Sequence, residues 1–478
     1  MKTLFETIYM KKLLIAFSII AGTVCPLAGF AQVEGANGGG ADSGTAKESD
    51  SLPLMQPTLT LKEALNYALE NNTSMQKSLL DKKQAEYQIN EVRGSGLPQV
   101  NGTGQLQHFP NLPTQLLPGE IIGQPGTQVP VQFGSAYTMS GGVQVTQLLY
   151  SQSFLTGLKA ARSSRELYEM LRIQTEEEVI YQVAGAFYQT LEVQAQIEAL
   201  ESNLDKLEQV EGLMRIQYEN DLVTKTDYNR LRVNKANLTT QLQSLKTVEE
   251  QSKNFLKLLA GYPMDTDITL EEGERLESVS LDKLQWEAVT PTSIRLLDKQ
   301  TELNELNKKN IQAGYYPTLS AFGQQTWQAQ RNEFNFFDGS HPWFQQTVIG
   351  LTLNVPIFDG LQRRSRVQQS RIDIEKLELD KLQAERANSA AYENARKQLM
   401  NSLSSVEVQE ENRALAEEVL GQTQELYKEQ VSSLNDLLDA ETALREAQIN
   451  YFREVLKFRK AELDLLKAQG QLTKLPNL

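Results

Sequence analysis

The chain has 478 residues, a formal net charge of −14 and 40% hydrophobic residues. An acidic excess of that size argues against a nucleic-acid binder, which needs a basic face to neutralise phosphate. Length alone would allow about two to four globular domains, yet Glu, Gln, Leu, Lys and Ala fill long stretches, which points to extended helices.

The first element in chain order is a secretory signal over residues 1–31. Lys11 and Lys12 precede an apolar run, and the small residues Gly29 and Ala31 place cleavage after Ala31. The run is too short for a convincing membrane span, and no later segment is long and apolar enough for one. Cys25, the single cysteine, leaves with the signal, so the mature chain offers no thiol for a disulfide, a metal or a nucleophile. Val24 stands where a lipoprotein signal needs a small residue, which argues against a lipid anchor. Residues 32–57, rich in Gly, Ser, Asp and Ala, read as a flexible leader. If such a chain enters a membrane, it must do so as a barrel.

From residue 59 the composition predicts one helix, "LTLKEALNYALENNTSMQKSLLDKKQAEYQINEV", free of Pro and Gly. A strand follows in "PQVNGTGQLQHF", where Gln99, Asn101, Thr103, Gln105 and Gln107 alternate with Val100, Gly102, Gly104 and Leu106. A Pro- and Gly-rich surface loop leads to a second strand, in which Tyr137, Met139, Val143 and Val145 oppose Thr138, Ser140, Gln144 and Thr146. Residues 153–219 then form one helical run, and a break at "ENDLVT" precedes a helix to about residue 260. Along the run, Val183, Ala186, Thr190, Val193, Ile197, Leu200, Leu204 and Leu207 step by three and four in turn, the period of a left-handed supercoil. An ordinary antiparallel helical hairpin would show the same pattern.

The second half repeats this order. Pro98 and Gly104 fall on Pro317 and Gly323; Gly212, Tyr218 and Asp227 fall on Gly421, Tyr427 and Asp436. The chain is therefore one unit used twice, over 58–261 and 282–478, joined by a linker at 262–281. Each unit runs helix, strand, strand, long helix, helix. In the third strand Leu319, Ala321 and Trp327 oppose Ser320, Gln324, Thr326 and Gln328; in the fourth, Ile349, Leu351, Leu353 and Val355 oppose Thr352 and Asn354, though Val348 and Phe344 blur the alternation. The second long helix covers 362–428 and its partner 434–469, with a seam through Leu437, Ala440, Leu444, Ala447, Tyr451, Phe458, Ala461, Leu465 and Ala468 that Glu454 interrupts. At the join "TLNVPIFDGLQRR", Pro356 ends the strand ladder and Gly360 frees the backbone to turn into the helix. Its copy, "VTQLLYSQ", makes the same swap with Leu148 in place of proline. The basic run "RRSR" (363–366) that opens this helix could bind a phosphate; at a membrane boundary it would instead meet lipid headgroups or neighbouring acids.

Strands about ten residues long with one uncharged polar face suit a membrane barrel with a wet lumen, although a soluble sheet on a helical layer alternates in the same way. Four strands cannot close a barrel; two chains would supply eight and three would supply twelve. Two histidines, His108 and His341, and no phosphate loop, nucleophile elbow or metal spacing leave no catalytic residues, metal ligands or cofactor to propose.

The ordered set "LTLKEALNYALENN" (59–72), the two strand pairs, "VPIFDG" (355–360) and "LYKEQVSSLNDLLDAETALREAQ" (426–448) resembles the TolC family of outer-membrane efflux proteins. That resemblance implies an α-dominated α+β membrane protein, a homotrimer whose twelve strands form a β-barrel continuous with a helical barrel in the periplasm. It implies a passive duct in contact with outer-membrane lipid, a periplasmic adaptor and an inner-membrane pump of the RND or ABC type. It further implies a helical gate at the periplasmic tip. There Asp436 and Asp439 match the acidic constriction, and Tyr427 and Asp227 match a latch between the two units. The arginine that completes the latch in the family is missing, with Ser432 in its place, and Lys225 is the nearby substitute. Asp221 and Gln430 replace the glycines usual at the tip turns, where Leu222 and Val431 would face the adaptor. The alternative is a periplasmic coiled-coil scaffold carrying a small soluble β-sheet.

Overall fold

The computed structural model describes residues 58–118, 128–270 and 290–477, with Gly123 and Gly126. The signal over 1–31, the leader over 32–57 and the linker residues beyond 270 lie outside the described residues.

The first repeat opens with β1 (Thr58–Leu59) and α1 (Leu61–Asn71), started by a capping box between Thr60 and Glu63. The expected single helix breaks at Asn72, and α2 (Thr73–Gly94) follows as a separate element. Asn72 has an extended backbone, and its side chain accepts from the Ser74 and Met75 amides while its Nδ2 donates to the Leu259 carbonyl at 2.6 Å. Asparagine caps a helix better than it continues one, and here a partner from far along the chain holds it in that role. Composition could not show that partner.

The strands β2 (Gln99–His108), β5 (Tyr137–Tyr150), β7 (Thr318–Arg331) and β8 (Phe344–Asn354) form an antiparallel sheet in that order, with β2 and β8 as its edges. The expected loop between β2 and β5 carries a hairpin of its own, β3 (Thr114–Pro118) with β4 (Gln128–Gln132). Register sorts the side chains. Val100 sits opposite Val145, Leu106 opposite Met139, Leu319 opposite Leu353 and Ala321 opposite Leu351 on one face. Gln99, Asn101, Gln144, Thr146, Gln324 and Gln328 occupy the other.

The long helices match their expected spans closely. Helix α3 (Gln152–Glu219) has 68 residues, about 100 Å at 1.5 Å per residue, and turns back into α4 (Lys225–Ala260). A short strand β6 (Thr269–Leu270) pairs in parallel with β1. Helix α5 (Thr292–Ala313) enters the second sheet pair, and α6 (Gln362–Lys428) turns back into α7 (Leu434–Ala468). Every residue of the α3 seam, from Val183 to Leu207, is buried. In α7 the seam does not run through Glu454. Val455, fully buried, takes the place, and Glu454 pairs with Lys457 at 2.6 Å. Two successive four-residue steps, Ala447 to Tyr451 to Val455, carry the stripe past the carboxylate.

Most of the buried apolar residues fall in two clusters. One lies at mid-height around Leu65, Ile180, Phe187, Leu256, Leu399 and Phe458. The other lies at the far end from the sheet, around Leu207, Met214, Leu231, Leu238, Leu420 and Leu444. No helix among the described residues is long and apolar enough to cross a membrane.

The two strand-to-helix joints differ, contrary to the reading that one copies the other. Strand β5 runs to Tyr150 past a bulge, and the single residue Ser151 caps α3 by accepting from the Phe154 amide at 3.1 Å. Strand β8 stops at Asn354, one residue before the expected Val355. Seven residues follow, among them Pro356, before α6 begins; Gly360 and Leu361 both take left-handed backbone with φ of 64°.

Candidate functional site at the helical tip

The two hairpin turns farthest from the sheet are built alike. Helix α3 ends at Glu219 and the chain reverses through Asp221, at φ 57°; α6 ends at Lys428 and reverses through Gln430, at φ 63°. In each, the next amide reaches back to close the helix end: Leu222 N to Gln217 O at 2.9 Å, and Val431 N to Leu426 O at 2.8 Å. A left-handed residue with a side chain costs about 1–2 kcal/mol, so these turns are held by their surroundings and not by glycine. Leu222 and Val431 then project outward, 66% and 73% exposed.

The following helices start on matched caps. Thr224 Oγ1 donates to Asp227 Oδ2 at 2.7 Å and accepts from the Asp227 amide. Ser433 Oγ donates to Asp436 Oδ2 at 2.7 Å, its amide donates at 3.0 Å, and Ser432 Oγ adds a third bond at 3.3 Å. Ser433's bonds hold the Asp436 carboxyl below the usual carboxylate range. Asp436 is thus occupied with starting α7, whereas Asp439, one turn on, is exposed with no hydrogen-bond partner among the described residues.

Tyr427, on the last turn of α6, is buried. Burial, together with the Asp227 carboxylate nearby, pushes its phenol pKa up. Asp227 thus acts on Tyr427 across the two repeats, but no hydrogen bond joins them among the described residues, and Asp227 spends its bonds on Thr224. Ser432, at the position of the missing arginine, bonds within its own turn and does not reach the other hairpin. Lys225 makes no hydrogen bond or ion pair among the described residues.

The contact that crosses the hairpins comes from Arg230, which the sequence reading missed. Its Nη1 donates to Asn435 Oδ1 at 3.1 Å and lies 3.9 Å from Asp227. Arg230 stands three residues after Asp227 and so on the same helix face, which was the available signal. Two further polar bonds cross between the repeats. Asn234 Nδ2 donates at 3.1 Å to Glu441, which is 5% exposed and lies 3.5 Å from Arg445; Asn203 Nδ2 donates to Gln448 at 2.9 Å. Charged and amide groups on a buried leucine seam fix register, because a slip would leave them unpaired.

The family model for outer membrane efflux proteins matches residues 64–261 and 306–471. The chain belongs to the outer membrane efflux protein family. It is 21% identical over 429 residues to the outer membrane protein TolC of Vibrio cholerae, covering 86% of this chain and 91% of that one. Its structure resembles the outer membrane protein VceC of Vibrio cholerae, with a TM-score of 0.64, 14% identity and coverage of 86% and 96%. It also resembles the open state of the MtrE outer membrane channel of Neisseria gonorrhoeae, with a TM-score of 0.63, 18% identity and coverage of 86% and 89%. The fold is TolC-like, and the protein is an outer-membrane efflux channel extending into the periplasm, a duct and not an enzyme. The soluble scaffold finds no support in these likenesses.

Proposed function

We propose that three copies of the chain form the exit duct of a tripartite efflux or secretion system, gated at the helical tip. The division of the sheet into an apolar face and an uncharged polar face, at the head of two helices of 68 and 67 residues, carries this reading. A four-stranded sheet leaves β2 and β8 as open edges, and twelve strands from three copies are enough to enclose a passage. The apolar face then meets lipid and the polar face lines the water-filled lumen. The joint at Pro356 and Gly360 hands the barrel wall over to the tunnel helix.

At the other end, Leu222 and Val431 offer an apolar rim to a periplasmic adaptor, and an inner-membrane pump of the RND or ABC type supplies the energy. Tyr427 with Asp227, and Arg230 with Asn435, hold the hairpins together in the closed state. Three copies of Asp436 and Asp439 ring the constriction, attracting cations and repelling anions. The test is extraction and conductance. The chain should resist high salt and carbonate, leave membranes in detergent as an oligomer, and conduct ions in a planar bilayer. A chain that washes off, or an oligomer that does not conduct, overturns the duct. Crosslinking in cells followed by purification should bring down the adaptor and the pump together.

A further inference from the structure

The apolar file on the outward face of β8 continues beyond the strand. Ile349, Leu351 and Leu353 are 63–68% exposed in a single chain; past the strand end, Ile357 is 95% exposed and Phe358 80%. These two side chains touch almost nothing of their own chain. Directly behind them, the first turns of α6 carry Arg363, Arg364 and Arg366. The amino end of a helix is electropositive and favours acids; here Asp359 Oδ2 accepts from the Arg363 amide at 3.1 Å, while the first turn itself has no acidic residue and Leu361 supplies no side-chain cap. Arg363 is engaged, 3.5 Å from Asp359 and 5.5 Å from the centre of the Tyr315 ring. Arg364 and Arg366 are exposed, and among the described residues neither has a hydrogen-bond or ion-pair partner. The first repeat has no such feature, since its joint is the single residue Ser151 and no charge appears in α3 before Lys159.

We propose that this second joint is a docking site for an anionic phospholipid of the inner leaflet of the outer membrane. Ile357 and Phe358 enter the acyl region, and Arg364 and Arg366 take the headgroup phosphate. Two observations favour lipid as the occupant: the apolar file is continuous with the sheet's lipid face, and the free guanidinium groups complement a phosphate. The site rests on the duct reading, because it needs the sheet to be embedded. It gives one lipid position per chain, set at the level where barrel becomes tunnel.

The test reconstitutes the full-length oligomer in nanodiscs of phosphatidylcholine with a minority of phosphatidylglycerol and counts retained lipid by native mass spectrometry. The unaltered protein should retain phosphatidylglycerol in preference. R364Q with R366Q should lower its apparent affinity for phosphatidylglycerol roughly tenfold and leave phosphatidylcholine unchanged, while R364K with R366K keeps most of the preference. I357S with F358S should lose the retained lipid and keep the oligomer. No preference in the unaltered protein, or an unchanged preference in R364Q with R366Q, overturns the site. So does an I357S/F358S protein that falls apart with its lipid count intact, which would place these residues between copies. An oligomer that inserts and conducts but shows no preference refutes only the lipid site, whereas one that never enters the bilayer refutes the duct as well.

Discussion

Replacing Arg230 with alanine removes the bond that crosses the two hairpins at the tip, and the size of the effect follows from its geometry. Arg230 Nη1 lies 3.1 Å from Asn435 Oδ1 and 3.9 Å from the Asp227 carboxylate, with 54% of the side chain exposed. A buried charge-assisted bond contributes about 1.5–3 kcal/mol, but water screens this one, and about 0.5–1 kcal/mol is the appropriate scale. If three chains open together, three such bonds are lost at once. The closed state then weakens by about 1.5–3 kcal/mol, which raises the ratio of open to closed channels by roughly ten to a hundred. Single-channel recording in a planar bilayer reads that ratio directly. Arg230→Lys keeps the charge and loses the planar fork, so it should fall between the two. Asn435→Ala should match Arg230→Ala, and the double substitution should add little to either, because the two residues share one bond. Open-state occupancy unchanged in both single variants, or effects that simply sum in the double variant, would refute Arg230 as the latch.

The remaining predictions concern the acidic ring, its protonation and the mid-height junction. Asp436→Ala with Asp439→Ala should weaken block of the channel by polyvalent cations, and undiminished block removes the ring from the gate. Asp439→Ala alone should leave α7 intact, whereas Asp436→Ala should speed hydrogen exchange in its first turn. In the folded chain, Ser433 lowers the pKa of the Asp436 carboxyl, so its capping contribution is fully present above the ordinary value of about 3.9. That contribution is lost only as pH falls through the lower folded value. An NMR titration should find the Asp436 carboxyl midpoint below that of a free aspartate, and a midpoint at or above it contradicts the cap. Gly261 ends α4 at φ 85°, where an added Cβ would sit 2.7 Å from the Asn71 carbonyl oxygen. Gly261→Ala should therefore cost about 2 kcal/mol or more, visible as an earlier thermal unfolding transition; an unshifted transition would show that the contact between α1 and α4 is slack.

The long helices are legible in the sequence because their information is local and repeated. The three-and-four spacing of Val183 to Leu207 marks a stripe that any partner must bury, and the structure buries all of it. The strands are legible for the same reason, through alternation. Two of the misses depend on a residue distant in sequence or on backbone angles. Asn72 breaks a helix because Leu259 waits for its amide. The joint after β8 needs two consecutive left-handed residues, and nothing in the composition of "PIFDGLQ" counts them. The tip shows how far the internal repeat can go toward supplying what local pattern lacks. Thr224 and Ser433 are equivalent and both cap a helix, each bonded to the aspartate three residues on, Asp227 or Asp436. One turn further the repeat breaks its own symmetry, for Arg230 is the counterpart of Asp439, and Arg232 that of Glu441. The repeated caps keep the two hairpins alike in shape, while the residues that differ at matched positions let one hairpin bond to the other. Arg230 of the first unit bonds Asn435 of the second, whose counterpart in the first unit is Thr226, so this bond exists because the copies diverged at both positions.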